Sequence, residues 1–190
     1  MRIVAGLAKR VNLVAPQGTH TRPTSDMAKE SLFNIISANV RGARVLDLFC
    51  GSGAIGLEAL SRGAAHAVFV DNAQPAINAT LQNIEKTRLA HLAELVKLPA
   101  AQAISKLSAT GRAFDIIFMD PPYETELLKE MLCLIAKANI LAKDGMIIAE
   151  TDTKLNVANP VDLPAELCLT DTRVYGRACF LFYEYEQVGE

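Results

Sequence analysis

The chain has 190 residues, 51% of them hydrophobic and 21% charged, with four cysteines and a net charge of −2. That profile is one globular domain, long enough to bury about 70% of the surface its unfolded form exposes, and it excludes collagenous, disordered and disulfide-stapled readings. The longest apolar runs, such as Ile116-Ile117-Phe118-Met119, fall well short of the roughly 18 residues of a membrane span, and Met1 to Leu7 leads into Lys9 and Arg10 instead of an apolar signal core, so a cytoplasmic location is expected.

The near-neutral total hides an asymmetry. Residues 1–43 carry Arg2, Lys9, Arg10, Arg22, Lys29 and Arg41 against Asp26 and Glu30, a local charge of +4, while the rest of the chain stands at −6. Within this segment, residues 2–5 and 11–14 are predicted to pair as a small hairpin. A loop over 16–23 follows, then a helix capped by Thr24 or Ser25 with an apolar face of Ala28, Leu32, Ile35 and Ile36. Beyond residue 43 short apolar runs alternate with helical stretches, the pattern of βα units around a mostly parallel sheet. Strands are predicted at 44–49, 67–71, 93–98, 114–119 and 145–150, with helices near 53–62, 74–87, 100–108 and 125–139. The rhythm then changes: 156–164 holds two prolines and no helical stripe, and 166–175 and 178–185 read as two strands of an antiparallel hairpin at one sheet edge. The expected organisation is a basic hairpin-and-helix appendage over 1–43 and a single α/β domain over 44–190. The cysteines Cys50, Cys133, Cys168 and Cys179 lack metal-ligand spacing and read as reduced thiols.

Directly after the first main strand comes Asp47-Leu48-Phe49-Cys50-Gly51-Ser52-Gly53-Ala54-Ile55-Gly56, opening a helix. Glycines at such a turn let backbone approach a ligand without Cβ obstruction. Gly51-x-Gly53-x-x-Gly56 satisfies the dinucleotide fingerprint, and Asp71 ends the next strand where a carboxylate can hold ribose hydroxyls. Phe49, Gly51, Ser52, Gly53, Asp71 and the adjoining Asn72 are therefore candidate cofactor contacts, open to both NAD and S-adenosylmethionine. Asp47 separates the two in part. A carboxylate entering the loop suits a cationic ammonium better than a pyrophosphate, which it would repel, although Asp47 bonded to loop amides would be a structural group.

Asp120-Pro121-Pro122-Tyr123 follows the apolar strand 114–119, which places it at the carboxyl edge of the sheet, where open α/β sheets bind ligands. The two prolines stiffen the backbone and leave its carbonyls without competing local donors, and Asp120 adds a side-chain acceptor. Beside the Tyr123 ring these acceptors can grip a planar, NH2-bearing base. An exocyclic amine is a poor nucleophile because its lone pair is delocalised into the ring. Hydrogen bonds that hold its protons out of the optimal plane aim that lone pair at an electrophilic methyl.

The chain resembles the RsmD-like methyltransferases, which modify the N2 amine of a guanine in bacterial small-subunit ribosomal RNA. The resemblance rests on Arg2-Ile3-Val4-Ala5-Gly6, Thr21-Arg22-Pro23-Thr24, Lys29-Glu30-Ser31-Leu32-Phe33-Asn34, the block from Leu46 to Ala64, and Asp120-Pro121-Pro122-Tyr123. It implies a Rossmann-like class I methyltransferase fold with a seven-stranded sheet whose last strand runs antiparallel. It further implies S-adenosylmethionine in the Asp47 to Gly53 loop, Asp71 on the ribose, and Asp120 to Tyr123 around the target base. The partner it implies is ribosomal RNA in the small subunit or an assembly intermediate. Arg2, Lys9, Arg10, Arg22 and Lys29 are then the expected RNA contacts, consistent with a positive segment beside an acidic body. Where many members have an acidic residue after the third strand, this chain has Leu98-Pro99-Ala100-Ala101, so adenine is expected to rest on backbone or apolar contacts. Glu150, near the same edge, reads as a loop cap. An adenine-N6 methyltransferase and an NAD-dependent oxidoreductase are the alternative functions, and a monomer is expected.

Overall fold

Five segments form the parallel part of the sheet in the computed structural model, which describes residues 1–17, 25–121, 125–153 and 163–186. They are β1 (Arg44–Leu48), β2 (His66–Asp71), β3 (Ala93–Lys97), β4 (Phe114–Met119) and β5 (Leu141–Asp152). The hairpin of β6 (Leu167–Tyr175) and β7 (Ala178–Tyr185) completes a seven-stranded sheet in the order β3-β2-β1-β4-β5-β7-β6. β7 runs antiparallel to both of its neighbours. The crossovers are α3 (Ala54–Ser61), α4 (Gln74–Thr87), α5 (Ala100–Ala109) and α6 (Thr125–Ala138), preceded by α1 (Asp26–Ile35) and the single turn α2 (Ser37–Val40). The central strands β1, β2 and β4 are buried on both faces because helices cover both. Leu57, Leu60 and Phe69 belong to the core on one face, and Val68, Ile104, Leu132 and Ile147 to that on the other.

Two local expectations change, for β5 and for Ile35, and the choice of cap for α1 is decided. β5 begins at Leu141, four residues before the predicted start, and its register against β4 shifts between Phe114 and Ile116; that irregularity admits Gly145, which masks the strand in a period-two reading. Ser25, not Thr24, caps α1, its hydroxyl accepting from the Ala28 amide at 3.1 Å. Ile35 turns outward, 38% exposed, and the buried face of α1 is Ala28, Lys29, Leu32 and Phe33.

The basic leading segment is bound into the main core. Ile3, Leu32 and Phe33 belong to the same apolar cluster as Leu57 and Leu60 of α3. Arg2 bridges Asn12 in antiparallel fashion, with the Ile3 amide on the Val11 carbonyl at 3.0 Å and the Leu13 amide on that of Met1 at 3.1 Å. This pair of extended stretches lies along α3. The Val4 and Ala5 amides donate to the two Glu58 carboxylate oxygens at 2.8 and 3.0 Å, and the Ala8 amide donates to Ser61 Oγ at 2.9 Å. Gly6 is required here: at φ +80° it passes so close that a Cβ would lie 1.7 Å from the Ser61 carbonyl oxygen.

Candidate active site

Because β1 and β4 are neighbours, with Leu48 opposite Met119, the residues that follow them emerge side by side at the carboxyl edge of the sheet. Asp47 and Phe118 share a register position, so Asp47 and Asp120 lie on one face by the two-residue strand period. Met119 is likewise opposite Ala149, which places Glu150 beside Asp120 on the next strand. β2 brings Asp71 to the same edge from the other side. The expected pairing of glycine loop and Asp120-Pro121 is therefore present.

The loop after β1 is held in an unusual backbone. Phe49, Gly51 and Gly53 all have positive φ, at +59°, +55° and +72°. Gly53 could not be replaced, since a Cβ there would meet Thr80 Cγ2 at 2.9 Å and the Phe69 ring at 3.3 Å. For Phe49 the left-handed conformation costs about 1–2 kcal/mol, which the surrounding bonds must hold in place. Asp71 supplies two of them, accepting from the Gly51 amide at 3.0 Å and the Ala73 amide at 2.9 Å. Asn72, between them in sequence, is exposed. From behind, Thr80 Oγ1 donates to the Gly51 carbonyl at 3.0 Å and Asn83 Nδ2 to the Ser52 carbonyl at 2.9 Å. These two α4 residues were not legible as site residues. Their signal was a polar stripe, Thr80, Asn83 and Thr87, on the otherwise apolar buried face of α4. Cys50 is buried against Thr80, Sγ to Oγ1 3.6 Å, and burial and the Asp47 carboxylate raise its thiol well above the usual range, as befits an inert packing group.

Asp47 is fully buried, and Oδ2 accepts the Gly56 amide at 2.9 Å, which is the bond of the structural alternative, so any role towards an ammonium is additional to it. Burial pushes its carboxyl up to about 7, with Asp71 adding in the same direction and the Gly56 bond opposing both. A buried acid so raised is relieved by a cation placed against it. Asp120 is exposed just after β4; desolvation, then Glu150, then Asp47 push its carboxyl upward. Glu150, read from sequence as a loop cap, thus belongs to the electrostatics of this edge. Positive-φ glycines, amides fixed by Asp71 and a desolvated Asp47 fit a ligand that carries an ammonium and a ribose, which are the features of S-adenosylmethionine. Among the described residues no cluster of metal ligands occurs, and no helix is long and apolar enough to cross a membrane.

Other expected residues fall in different places. Pro121 is buried beside Asp120, whereas Pro122, Tyr123 and Arg22 lie outside the described residues. Arg2 is exposed at the loop end of α3, ion-paired to Asp26 at 3.6 Å; nearby, Ser52 Oγ donates to Met1 Sδ at 3.4 Å. Lys9 and Arg10 are exposed in the turn at the opposite end of α3, next to Ser61, about 12 Å along the helix axis. Lys29 is corrected. It is wholly buried, with Nζ 3.3 Å from Glu58 Oε2 and donating to the Arg2 carbonyl, so it presents no charge to a phosphate. A lysine amid apolar spacing reads as surface until its partner Glu58, on another helix, is known.

The strand order, the reversed β7 and the glycine loop after β1 define the Rossmann-like fold of class I methyltransferases. The model of a family described as Conserved hypothetical protein 95 matches residues 1–184. YlbH of Bacillus subtilis is 39% identical over 184 residues, 97% of this chain and 98% of that protein. Ribosomal RNA small subunit methyltransferase D of Escherichia coli is 30% identical over 190 residues, covering 100% of this chain and 92% of its own length. Among solved structures, yhhF from Escherichia coli superposes with a TM-score of 0.84 at 32% identity over 98% of each chain. The chain belongs to this RsmD-like family.

Proposed function

We propose that the protein transfers a methyl group from S-adenosylmethionine to the exocyclic N2 amine of a guanine in small-subunit ribosomal RNA. The observation that carries this reading is the juxtaposition of the Asp47–Gly53 loop with Asp120-Pro121 across the β1–β4 pair. The 30% identity to an Escherichia coli small-subunit rRNA methyltransferase supports the substrate class.

Bound in the loop, S-adenosylmethionine supplies a methyl group on a cationic sulfur. The residues of the chain then have distinct tasks. Asp47 faces the ammonium, and Asp71 receives ribose hydroxyls while continuing to hold the Gly51 amide. Amine hydrogens bonded to Asp120 favour its ionised form. That carboxylate and the Pro121 carbonyl would accept the two hydrogens of a base flipped out of its stack, which directs the nitrogen lone pair towards the methyl group and gives the proton lost on transfer a carboxylate to pass to. Tyr123, which follows Pro122, is assigned to the face of the base. Arg2, Arg22, Lys9 and Arg10 contact phosphate.

Methyl transfer from labelled cofactor to unmodified small subunits, to their protein-free RNA and to duplex DNA, with mass identification of the product nucleoside, tests the whole reading. N2-methylguanosine is expected from the subunits; N6-methyladenosine would overturn the target assignment. Asp120→Ala is expected to abolish transfer while cofactor binding stays within a few fold. Wild-type turnover in that variant would remove Asp120 from its role.

A further inference from the structure

Asn83 stands at a junction that the reaction as described does not use. It is fully buried on α4, and one side-chain amide serves two separate segments. Oδ1 accepts the Val14 amide at 2.8 Å, while Nδ2 donates to the Val14 carbonyl and to the Ser52 carbonyl, both at 2.9 Å. Towards Val14 the amide behaves as an extra stretch of β-backbone, satisfying donor and acceptor of one residue. Towards Ser52 it fixes the glycine loop. Thr80, one turn earlier, bonds only the loop, through the Gly51 carbonyl. Among the described residues of α4, Asn83 is the one whose side chain bonds both the N-terminal segment and the loop.

We propose that Asn83 is a positioning residue that locks the cofactor loop to the N-terminal segment, so that binding of cofactor and binding of RNA are coupled through it. The proposal rests on the S-adenosylmethionine and RNA reading above. Its physical basis is the sharing of one rigid group. A ligand that shifts Ser52 bears on the Asn83 amide and through it on Val14, which follows the Arg2–Asn12 pair. A ligand that displaces the Arg2 end of the N-terminal segment bears on the same amide from the other side. The two sites therefore share one rigid group, and any benefit is reciprocal by linkage.

The test measures S-adenosylhomocysteine affinity of the full chain by calorimetry, alone and with saturating unmodified small subunits, for wild type, Asn83→Ala, Asn83→Asp and Thr80→Val. Wild type is expected to bind the cofactor product more tightly with subunits present, by about fivefold or more. Asn83→Ala is expected to weaken binding of the product alone by about tenfold, the scale of one or two lost hydrogen bonds, and to bring the subunit effect to about onefold, meaning no coupling. Thr80→Val should weaken binding yet keep the coupling, because it leaves Val14 attached. Asn83→Asp retains the acceptor for the Val14 amide and loses both donated bonds, so it reports the same loss of coupling if the alanine variant does not fold. A fall in melting temperature with unchanged affinity and coupling in the Asn83 variants would overturn the proposal and leave Asn83 a packing group. Absence of coupling in wild type would also overturn it. Failure of wild type to bind S-adenosylhomocysteine at all would instead sink the cofactor reading beneath it.

Discussion

A single carboxyl group, that of Asp47, joins the sequence reading to a measurable titration. Its unfolded value is near 3.8 and burial raises it to about 7, so the folded chain holds a proton that the unfolded chain has released. Stability from this group is therefore full below about pH 4 and is lost as pH rises through 7. The proposed placement of the S-adenosylmethionine ammonium beside Asp47 would reverse the preference, since a cation there favours the ionised form. Affinity is expected to rise between pH 6 and 7.5, with proton release visible as a dependence of binding enthalpy on buffer. Asp47→Asn keeps an acceptor for the Gly56 amide and should lose affinity and pH dependence together while melting higher than wild type above pH 7. A flat wild-type profile would remove the ammonium from this position. At this scale the placement of Asp47, Asp71 and Asp120 at one sheet edge was legible because each stands at or next to the end of an apolar strand. Lys29, Thr80 and Asn83 were not, because what defines each is a partner more than 25 residues away in the chain.

Among the elements, α3 does more than present the glycine loop. Glu58 satisfies the Val4 and Ala5 amides, pairs with Arg62 Nε at 2.8 Å and meets Lys29, so one side chain ties α1 and the leading segment to the helix that follows the cofactor loop. Burial lowers the Lys29 pKa and Glu58 counters it. Removing the acid leaves a buried cation unpaired, which costs about 3–5 kcal/mol. Glu58→Ala is therefore expected to lose that much in urea unfolding. Lys29→Met should lose less, because Arg62 still neutralises Glu58, and the double variant should regain part of the single Glu58 loss. Strict additivity would mean that the two groups do not interact. The βα rhythm of the central elements was readable because both strand and helix periods are expressed locally; β5 was cut short because Gly145 and the register shift hide its first four residues.

For the whole molecule, the strand order and the reversed β7 agree with the expectation, while the leading segment joins the main core instead of standing off as an appendage. Its charges are spread over the length of α3: Arg2 near the cofactor loop, Lys9 and Arg10 at the far end. RNA that reaches the catalytic edge and also neutralises Lys9 and Arg10 must run along this face. Replacing Lys9 and Arg10 by alanine is expected to reduce the slope of log affinity against log salt by roughly 0.7–0.9 per lost phosphate contact, weakening different RNA sequences alike. An unchanged slope would confine the RNA to the Arg2 end. Tertiary placement of these charges was beyond a sequence reading, which registers charge density but not which end of a helix a turn will abut.

The bond between Val14 and Asn83 also has a consequence for biosynthesis. The two residues are 69 apart, and at about 5–20 residues per second the ribosome needs roughly 3–14 s to make the second after the first. Until α3 is made the Val4 and Ala5 amides have no Glu58 to bond, and until Asn83 of α4 is made Val14 has no side-chain amide to bond. The first residues made thus wait for both helices before they are seated, and the Asn83 bonds to Val14 and to the glycine loop form no earlier than α4 itself.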